Sequence, residues 1–229
     1  MNVAVILAGG KGLRLGNKVP KQMLLLGNKP VISWSVDTFH KIKLIDKIII
    51  VSEKNLINEM EKLFPRSSYP KILNFVEGGE ERSDSSYNAL ISSNFRDDDI
   101  FLFHDAARPF VSEEIIIQLI NEVNVSGACG TYIQATDTIT FINNSNVESI
   151  PERKSVYAAQ TPQCFRYDII KKAHLYQKDV KNMSITDDVS LVINLGYKVS
   201  AVKGSTENIK ITTDLDFKFA EFIVSGGNR

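Results

Sequence analysis

Cysteine is scarce in this sequence, and long apolar stretches are missing. The two cysteines, Cys129 and Cys164, lie far apart without metal-ligand spacing, so we interpret both as small buried apolar side chains. No apolar run approaches the length that crosses a bilayer. The run near the N-terminus is too short for a signal peptide and has no basic residues before it. This cysteine usage suits a reducing compartment, and we expect a cytoplasmic location.

A surplus of charge of either sign is also missing, since 27 basic residues balance 27 acidic ones. Without an overall field, the chain has no general attraction for nucleic acid or for an anionic membrane. The length of 229 residues and the hydrophobic content of 43% suit a single α/β domain over residues 1–229. Functional charge must therefore be concentrated locally.

Positive charge is concentrated in the stretch LAGGKGLRLGNKVPKQ, residues 7–22. An apolar run at 3–7 predicts a buried strand, and Gly9, Gly10 and Gly12 come directly after it. Glycines let the main chain approach a ligand closely and aim N–H groups at phosphate oxygens. The basic residues of the stretch are Lys11, Arg14, Lys18 and Lys21. Fixed cations of this kind can stabilise the charge that shifts during phosphoryl or nucleotidyl transfer.

This glycine loop matches neither of the common nucleotide-binding motifs. Gly12 is followed by Leu13, whereas a Walker loop requires lysine and then serine or threonine. The spacing of Gly10, Gly12 and Gly16 misses the GxGxxG fingerprint by one residue. A solvated glycine turn with surface lysines stays open as the plain alternative. The preceding strand and the unbroken basic series favour phosphate binding.

Strands and helices alternate along most of the chain. Apolar runs predict strands at residues 3–7, 47–51, 72–76, 100–103, 128–134 and 197–202. Helical spacing and capping residues predict helices at 30–41, 55–64, 84–93, 112–123, 167–177, 188–194 and 213–224. Ser83 or Asp84 is the predicted cap of the third of these helices. This order predicts a parallel sheet that is covered by helices on both faces.

Two polar segments follow predicted strands and should meet at the carboxyl edge of the sheet, where open α/β folds bind ligands. Gly78 and Gly79 follow the third strand, and Asp105 follows the fourth. A carboxylate at this edge can meet a ribose hydroxyl or a hydrated Mg²⁺. A turn with a helix cap, and an Asp105–Arg108 pair that only fixes the loop, stay open as plain alternatives. His104 has no partner in sequence, and we interpret it as structural rather than as a general base.

Residues 136–157 break this alternation of strand and helix. The segment is rich in β-forming residues, alternates in character and has a turn signal at 143–146. We predict a projecting β-hairpin, whose edge strands are exposed unless a partner covers them. A symmetric partner would cover them, so we expect a homodimer through this arm.

The polar segments resemble the signature strings of the cytidylyltransferase family. The glycine loop carries AGGxGxR followed by PKQ. The other strings are GGxxRxxS from Gly78, HDAARP from His104, DT at Asp137, AQTPQ from Ala159 and GxxxNIKIT from Gly204. They look closest to the 2-C-methyl-D-erythritol 4-phosphate cytidylyltransferases and to their relatives, the ribitol 5-phosphate cytidylyltransferases. The matches follow the order of the family and span nearly the whole chain.

The resemblance implies a fold, a reaction and a cofactor. The fold is α/β, with a Rossmann-like, mostly parallel sheet, helices on both faces and a projecting hairpin arm, as in nucleotide-diphospho-sugar transferases. The reaction joins CTP to a polyol phosphate and releases pyrophosphate. Mg²⁺ is bound mainly by the CTP phosphates, and Asp105 is a possible ligand through water.

The two branches of the family that the strings resemble use different acceptors. We favour methylerythritol phosphate, which places the enzyme in isoprenoid precursor biosynthesis. Asn17 and Thr140 are more typical of the ribitol branch, which makes CDP-ribitol for cell-surface polymers. Another nucleotidyltransferase with a different sugar phosphate, or a non-catalytic nucleotide sensor on the same fold, are further alternatives. The presence of Arg14, Lys21 and Lys210 favours an enzyme over the sensor.

The resemblance also assigns roles to individual positions of this chain. The implied CTP-binding residues are Leu7, Ala8, Gly9, Gly10, Gly12, Gly79, Glu80, Ser85 and Asp105, with Glu80 standing where the family usually carries aspartate. The implied catalytic residues are Arg14, Lys21, Lys210 and Arg153, the last reaching into the site of the neighbouring subunit. The implied acceptor-binding residues are Arg108, Thr138, Thr161 and Thr186. In the AQTPQ string, Pro162 and Gln163 are expected to shape a turn.

Overall fold

The computed structural model describes residues 1–10, 20–180 and 185–226 of the chain. Its strands are β1 (Asn2–Ala8), β2 (Leu25–Leu26), β3 (Lys29–Pro30), β4 (Lys47–Ser52), β5 (Ile72–Glu77), β6 (Ile100–Asp105), β7 (Ala128–Gln134), β8 (Phe141–Asn143), β9 (Asn146–Ser149), β10 (Tyr157–Arg166) and β11 (Ser200–Lys203). Its α-helices are α1 (Val31–Lys41), α2 (Ile57–Leu63), α3 (Arg82–Leu90), α4 (Glu113–Ser126), α5 (Tyr167–Asp179), α6 (Asp188–Asn194) and α7 (Asp214–Val224).

A central sheet has the strand order β11–β7–β10–β6–β1–β4–β5. The pairs around β1 are parallel, with Val5 opposite Ile49 of β4 and Phe103 of β6. Strand β10 runs antiparallel to both of its neighbours, β6 and β7. The sheet is thus mostly parallel, which confirms the predicted fold class.

Helices cover both faces of this sheet because its central strands are apolar on both sides. On one face, Ala4 and Ile6 of β1 pack with α1, α2 and α4. On the other face, Val3 and Val5 pack with α3, α5 and α6. This two-sided burial explains why the central strands read as continuous apolar runs and not as alternating patterns.

A smaller apolar cluster attaches the C-terminal helix to the start of the chain. Leu26 and Val31 pack there with Ile211 and Ala220. Thr213 caps α7 by accepting a hydrogen bond from the backbone N–H of Asp216, as its position before the helical run predicts.

Two local predictions are wrong. Pro162 and Gln163, which we expected to shape a turn, lie inside β10, where the pairing with β7 shifts register between Gln160 and Gln163. The third helix begins at Arg82 with Glu81 as its cap residue, because the Asp84 side chain accepts a hydrogen bond from the Glu81 backbone N–H at 3.0 Å. The cap therefore precedes both predicted candidates.

The segment predicted as an arm forms a small hairpin that is separate from the central sheet. Strands β8 and β9 pair with each other, and their turn places Asn144 and Ser145 at φ angles of 47° and 65°. All residues from 141 to 150 are exposed. Over the described ranges, the structure has no helix of the length and apolarity that a membrane span requires.

Candidate active site

The carboxyl edge of the sheet holds a cavity of about 350 Å³. The ends of β1, β5 and β6 and the segment after β11 converge there, as the topology of a parallel sheet requires. Ten of the residues that the sequence singled out line this cavity: Leu7, Ala8, Gly9, Gly10, Lys21, Gly79, Glu80, Ser85, Asp105 and Lys210. Gly12 and Arg14 lie outside the described residues. The sequence therefore located most of one cavity from positions spread over two hundred residues.

Two glycine segments approach each other on one side of the cavity. A Cβ atom added at Gly9 would lie 3.5 Å from the Ser85 hydroxyl and 3.8 Å from the Cα of Gly78. At Gly79 an added Cβ would lie 2.1 Å from the Cβ of Asp84, so a side chain cannot fit there without displacing α3. The Ser85 hydroxyl accepts a hydrogen bond from the Gly79 N–H at 3.1 Å and donates to the Glu81 carbonyl at 3.2 Å. These contacts fix the shape of the loop that carries three of the implied CTP-binding residues, Gly79, Glu80 and Ser85.

The end of the basic stretch also lines the cavity. Lys21 lines the cavity, and its neighbour Gln22 is buried and donates from Nε2 to the Ala8 carbonyl at 2.7 Å. This hydrogen bond ties the PKQ string back to the end of β1. Gln22 received no role from the sequence, although it stands in a signature string.

Asp105 lies at the centre of the charges in the cavity. Its Oδ1 accepts a hydrogen bond from Arg82 Nε at 3.2 Å, and its Oδ2 lies 2.7 Å from Lys210 Nζ. Burial favours the neutral acid, but the two cations outweigh burial and hold the pKa of Asp105 well below its usual value. The carboxylate is therefore ionised at neutral pH, and each oxygen already faces a cation.

The same ion pairs bear on the possible metal site at Asp105. A carboxylate that already has a side-chain cation on each oxygen is a poor direct ligand for a divalent metal ion. Throughout residues 1–10, 20–180 and 185–226, no group of three or more histidine, cysteine, aspartate or glutamate side chains could hold a metal ion. Direct coordination of Mg²⁺ by protein side chains has no support in this part of the chain.

Behind Asp105, a buried chain of hydrogen bonds fixes the end of β6. Thr161 accepts from the Asp105 N–H at 3.1 Å, and its hydroxyl lies 3.1 Å from His104 Nδ1. His104 Nε2 lies 2.9 Å from the Arg108 carbonyl, which can only accept, so Nε2 carries the proton and Thr161 donates to Nδ1. Burial lowers the pKa of His104 to about 4, so the ring is neutral at pH 7. This geometry gives His104 a structural role, as the sequence suggested.

Arg108 supports the loops beside the cavity. Its guanidinium donates from Nη1 to the Asn208 carbonyl at 2.7 Å and from Nη2 to the Ala159 carbonyl at 3.4 Å. The alternative in which Arg108 pairs with Asp105 is wrong, because the carboxylate of Asp105 faces Arg82 and Lys210 instead. The contact of Arg108 with an acceptor stays a prediction.

The remaining predicted residues lie apart from the cavity in this single chain. Thr138 and Arg153 meet on the arm, where Arg153 Nη2 donates to the Thr138 hydroxyl at 2.9 Å. Thr186 lines a neighbouring cavity of about 100 Å³ beside Glu81 and Arg82. The chain therefore brings ten of the predicted residues into one cavity, while the arm carries Thr138 and Arg153 together elsewhere.

Arg82 and Asp188 form a charged pair at the site that the sequence did not assign. Arg82 lines the cavity and pairs with the buried carboxylate of Asp188 at 2.5 Å. Arg82 stands in the GGxxRxxS string, but its partner lies 106 positions further along the chain. Only the folded chain brings the two together.

Glycine-lined walls, converging lysines and an ionised aspartate at the carboxyl edge of a mostly parallel sheet are the features of a nucleotidyltransferase. The comparison with known families agrees with this class. The family model for 2-C-methyl-D-erythritol 4-phosphate cytidylyltransferase matches residues 2–226. The chain belongs to this cytidylyltransferase family and is an enzyme.

Individual relatives are similar along their whole length. A 2-C-methyl-D-erythritol 4-phosphate cytidylyltransferase of Clostridium perfringens is 43% identical over 224 residues, which cover 97% of this chain and 98% of the relative. One of Clostridium tetani is 37% identical over 228 residues, covering 99% and 92%. The crystal structure of 4-diphosphocytidyl-2C-methyl-D-erythritol synthase from Anaerococcus prevotii superposes with a TM-score of 0.86 at 30% identity, covering 98% of this chain and 96% of that one.

Proposed function

We propose that the protein transfers the cytidylyl group of CTP to 2-C-methyl-D-erythritol 4-phosphate and releases pyrophosphate, a step in isoprenoid precursor biosynthesis. The observation that carries the proposal is the shared cavity, in which Lys21, Lys210 and the glycine loops face one another. Relatives with this activity in their names match the chain end to end, which favours methylerythritol phosphate over ribitol phosphate as the acceptor.

In the proposed reaction, an oxygen of the acceptor phosphate attacks the α-phosphorus of CTP. A bond forms between that oxygen and the α-phosphorus, the bond from the α-phosphorus to the bridging oxygen breaks, and pyrophosphate leaves with the electron pair. The attacking phosphate is an anion at neutral pH, so no strong general base is needed. This fits a site in which His104 is buried and committed to structural hydrogen bonds. The enzyme's tasks are positioning and charge neutralisation.

The cations of the site have separate proposed roles. Lys21, together with Arg14, stabilises the charge on the α-phosphate as it becomes pentacoordinate. Lys210, together with Arg153 of a second subunit, holds the acceptor phosphate. Gly79, Glu80 and Ser85 surround the cytosine base. Arg108, Thr161 and Thr186 contact the acceptor or fix the loops that do.

Mg²⁺ has a proposed role on the substrate side of the site. We propose that the CTP phosphates hold most of its ligand positions, where the ion neutralises phosphate charge and orients the leaving group. The doubly paired carboxylate of Asp105 fits this arrangement, because a hydrated ion bound to CTP does not need direct protein ligands.

The proposed assembly is a homodimer in which the arm of residues 136–157 packs against the second subunit. Exposed apolar side chains concentrate on the arm: Ile139, Phe141, Ile142, Val147 and Ile150. A two-stranded hairpin alone is marginally stable in water, so a partner surface explains why it is maintained. A cleft of about 700 Å³, lined by β7, β11 and Tyr157 at the base of the arm, adds further uncovered apolar surface. The proposed location is the cytoplasm.

A pyrophosphate-release assay tests the proposed function. We expect release with CTP and methylerythritol phosphate, and much slower release with ribitol 5-phosphate. Faster release with ribitol 5-phosphate would move the enzyme to the ribitol branch. CTP binding without release with either acceptor would favour a nucleotide sensor and contradict the proposal.

A further inference from the structure

Arg82 lies between two carboxylates that come from distant parts of the chain. Its Nε donates to Asp105 Oδ1 at 3.2 Å, and its Nη1 donates to Asp188 Oδ2 at 2.5 Å. Asp188 is fully buried at the start of α6, and its second oxygen lies 3.6 Å from His174 Nε2. With Lys210 on the far oxygen of Asp105, the charges alternate along one row of four side chains.

The place of Arg82 in this row requires the shape of a guanidinium. A planar fork can donate to two carboxylates at once, whereas a lysine ammonium is a single point of charge on a flexible stem. Burial opposes the charged form of Arg82, but the two carboxylates outweigh burial and raise its pKa. Through the same pairing, the pKa of Asp188 stays below its usual value although the group is buried. Arg82, Asp105 and Asp188 are therefore charged at neutral pH.

Arg82 also joins the two halves of the cavity. It begins α3 directly after the segment with Gly79 and Glu80, and it contacts the carboxylate that contacts Lys210. Asp105 alone could not fix the Lys210 ammonium, because that side chain is long and 39% exposed. A carboxylate that is held from behind by Arg82 presents one fixed oxygen to the Lys210 ammonium.

We infer that Arg82 is a positioning residue for the proposed reaction. It is anchored by Asp188, fixes the carboxylate of Asp105, and through that carboxylate sets the Lys210 ammonium for the acceptor phosphate. The inference rests on the proposed function and adds to it a residue that acts through others. Misplacement of a reacting group by about 1 Å can cost on the order of a hundredfold in rate, which sets the size of the expected effect.

The first test is Arg82→Lys, which keeps the charge but loses the fork. We expect kcat to fall about a hundredfold and the KM for CTP to change less than about threefold, because the base loop and Lys21 are untouched. Asp188→Asn removes the anchor without altering the cavity wall, and we expect kcat to fall about tenfold. Arg166→Lys is the matched control, since Arg166 pairs with Asp168 at an exposed helix start, and it should retain wild-type rates.

A second test separates positioning from a general loss of structure. In a Lys210→Met background, Arg82→Lys should cost less than about threefold, because the group that it positions is already gone. Equal losses in both backgrounds, or wild-type kcat in a folded Arg82→Lys protein, would overturn the inference. If Arg82→Lys does not fold, Arg82→Met with Asp188→Asn removes one cation and one anion together. Loss of turnover in that folded double variant supports the inference, and wild-type turnover overturns it.

The wild-type enzyme is assayed first in the same series. Lack of pyrophosphate release by the wild type would contradict the proposed function itself. Normal wild-type release with undiminished variants would contradict only the role of Arg82. The two failures are therefore distinguishable.

Discussion

The cavity at the sheet edge and the arm differ in how their functional side chains are held. In the cavity, Asp105 has a cation on each oxygen and its backbone N–H donates to Thr161. On the arm, Arg153 makes its hydrogen bond to the exposed Thr138. The first region is organised by one chain, and the second carries residues that one chain leaves in solvent. This difference fits the proposed roles, in which the cavity binds the nucleotide and the arm contacts a second subunit.

Replacement of Lys21 should have the largest effect on turnover and tests the cavity side of this comparison. Lys21→Met removes a cation from a preorganised site, so we expect a folded protein with kcat about a hundredfold lower. Steady-state pyrophosphate release measures it, with Lys62→Met on the exposed surface of α2 as the control. Near-normal turnover in folded Lys21→Met would remove Lys21 from the proposed mechanism.

The buried histidine behind the cavity predicts how stability depends on pH. The pKa of His104 is about 4 in the folded protein and near the ordinary value of 6.5 when unfolded, so the unfolded chain binds more protons between these values. The free energy of unfolding should therefore rise with pH through this window. Above it, the contribution of His104 to stability is fully present. Between pH 7 and pH 5 the group accounts for about 2 kcal/mol.

Urea unfolding of wild type and His104→Gln at the two pH values measures this contribution. The variant loses the His104 hydrogen bonds and should be less stable at pH 7, but its stability should fall by about 2 kcal/mol less on going to pH 5. Parallel pH curves for the two proteins would show that His104 does not titrate as its burial requires.

Arg153 tests the arm side of the comparison. If Arg153 holds the acceptor phosphate, Arg153→Ala should lower kcat/KM for the acceptor about tenfold, with a much smaller change for CTP, because one charge-assisted contact is lost. Lys154→Ala is the control on the same arm, since Lys154 pairs only with the exposed Glu152 at 2.8 Å among the described residues. Equal losses for both substrates would contradict the role.

A mixing experiment shows whether Arg153 acts in the neighbouring subunit. Arg153→Ala and Lys210→Met proteins, mixed after dissociation and reassembled, form mixed dimers in which one of the two sites has both native residues. With random pairing, we expect about a quarter of wild-type activity to return. A mixture no more active than its components would place Arg153 in its own subunit's site or outside any site.

The smallest effect on folding is expected from the apolar surface of the arm. Ile142 is 67% exposed, so Ile142→Asp should change the free energy of unfolding by less than about 0.5 kcal/mol while weakening association. Sedimentation at several concentrations and urea unfolding measure the two effects. Val125→Asp, at a valine on α4 that is 87% exposed, serves as the control. A dimer of unchanged strength would show that this surface does not carry the interface.

The sequence predicted those elements whose signals are local. Ser112 begins α4 by accepting a hydrogen bond from the Ile115 N–H at 3.3 Å, and β7 has the predicted bounds, because a cap and an apolar run depend on neighbouring residues. The gathering of Gly9, Gly79 and Asp105 was also predictable, since each follows a strand of a parallel sheet.

Features that depend on distant pairing were not predictable. Pro162 and Gln163 were predicted to shape a turn, and only the pairing of β10 with β6 and β7 makes them part of a strand. The pairing of Arg82 with Asp188 leaves no trace in the spacing of the sequence, because the two residues meet only when α3 and α6 pack on the sheet. The signature strings identified individual site residues, whereas the contacts between those residues were visible only in the folded structure.

The connection between β7 and β10 has a practical consequence for protein engineering. Gln134 pairs with Tyr157, and the Ala135 N–H donates to the Val156 carbonyl at 3.0 Å, so the central sheet closes at the base of the hairpin. Because these contacts hold the two attachment points side by side, we expect that the hairpin between them can be exchanged if Thr138 and Arg153 are kept. Hairpins from related enzymes could be grafted at this junction to create subunits that recognise only each other.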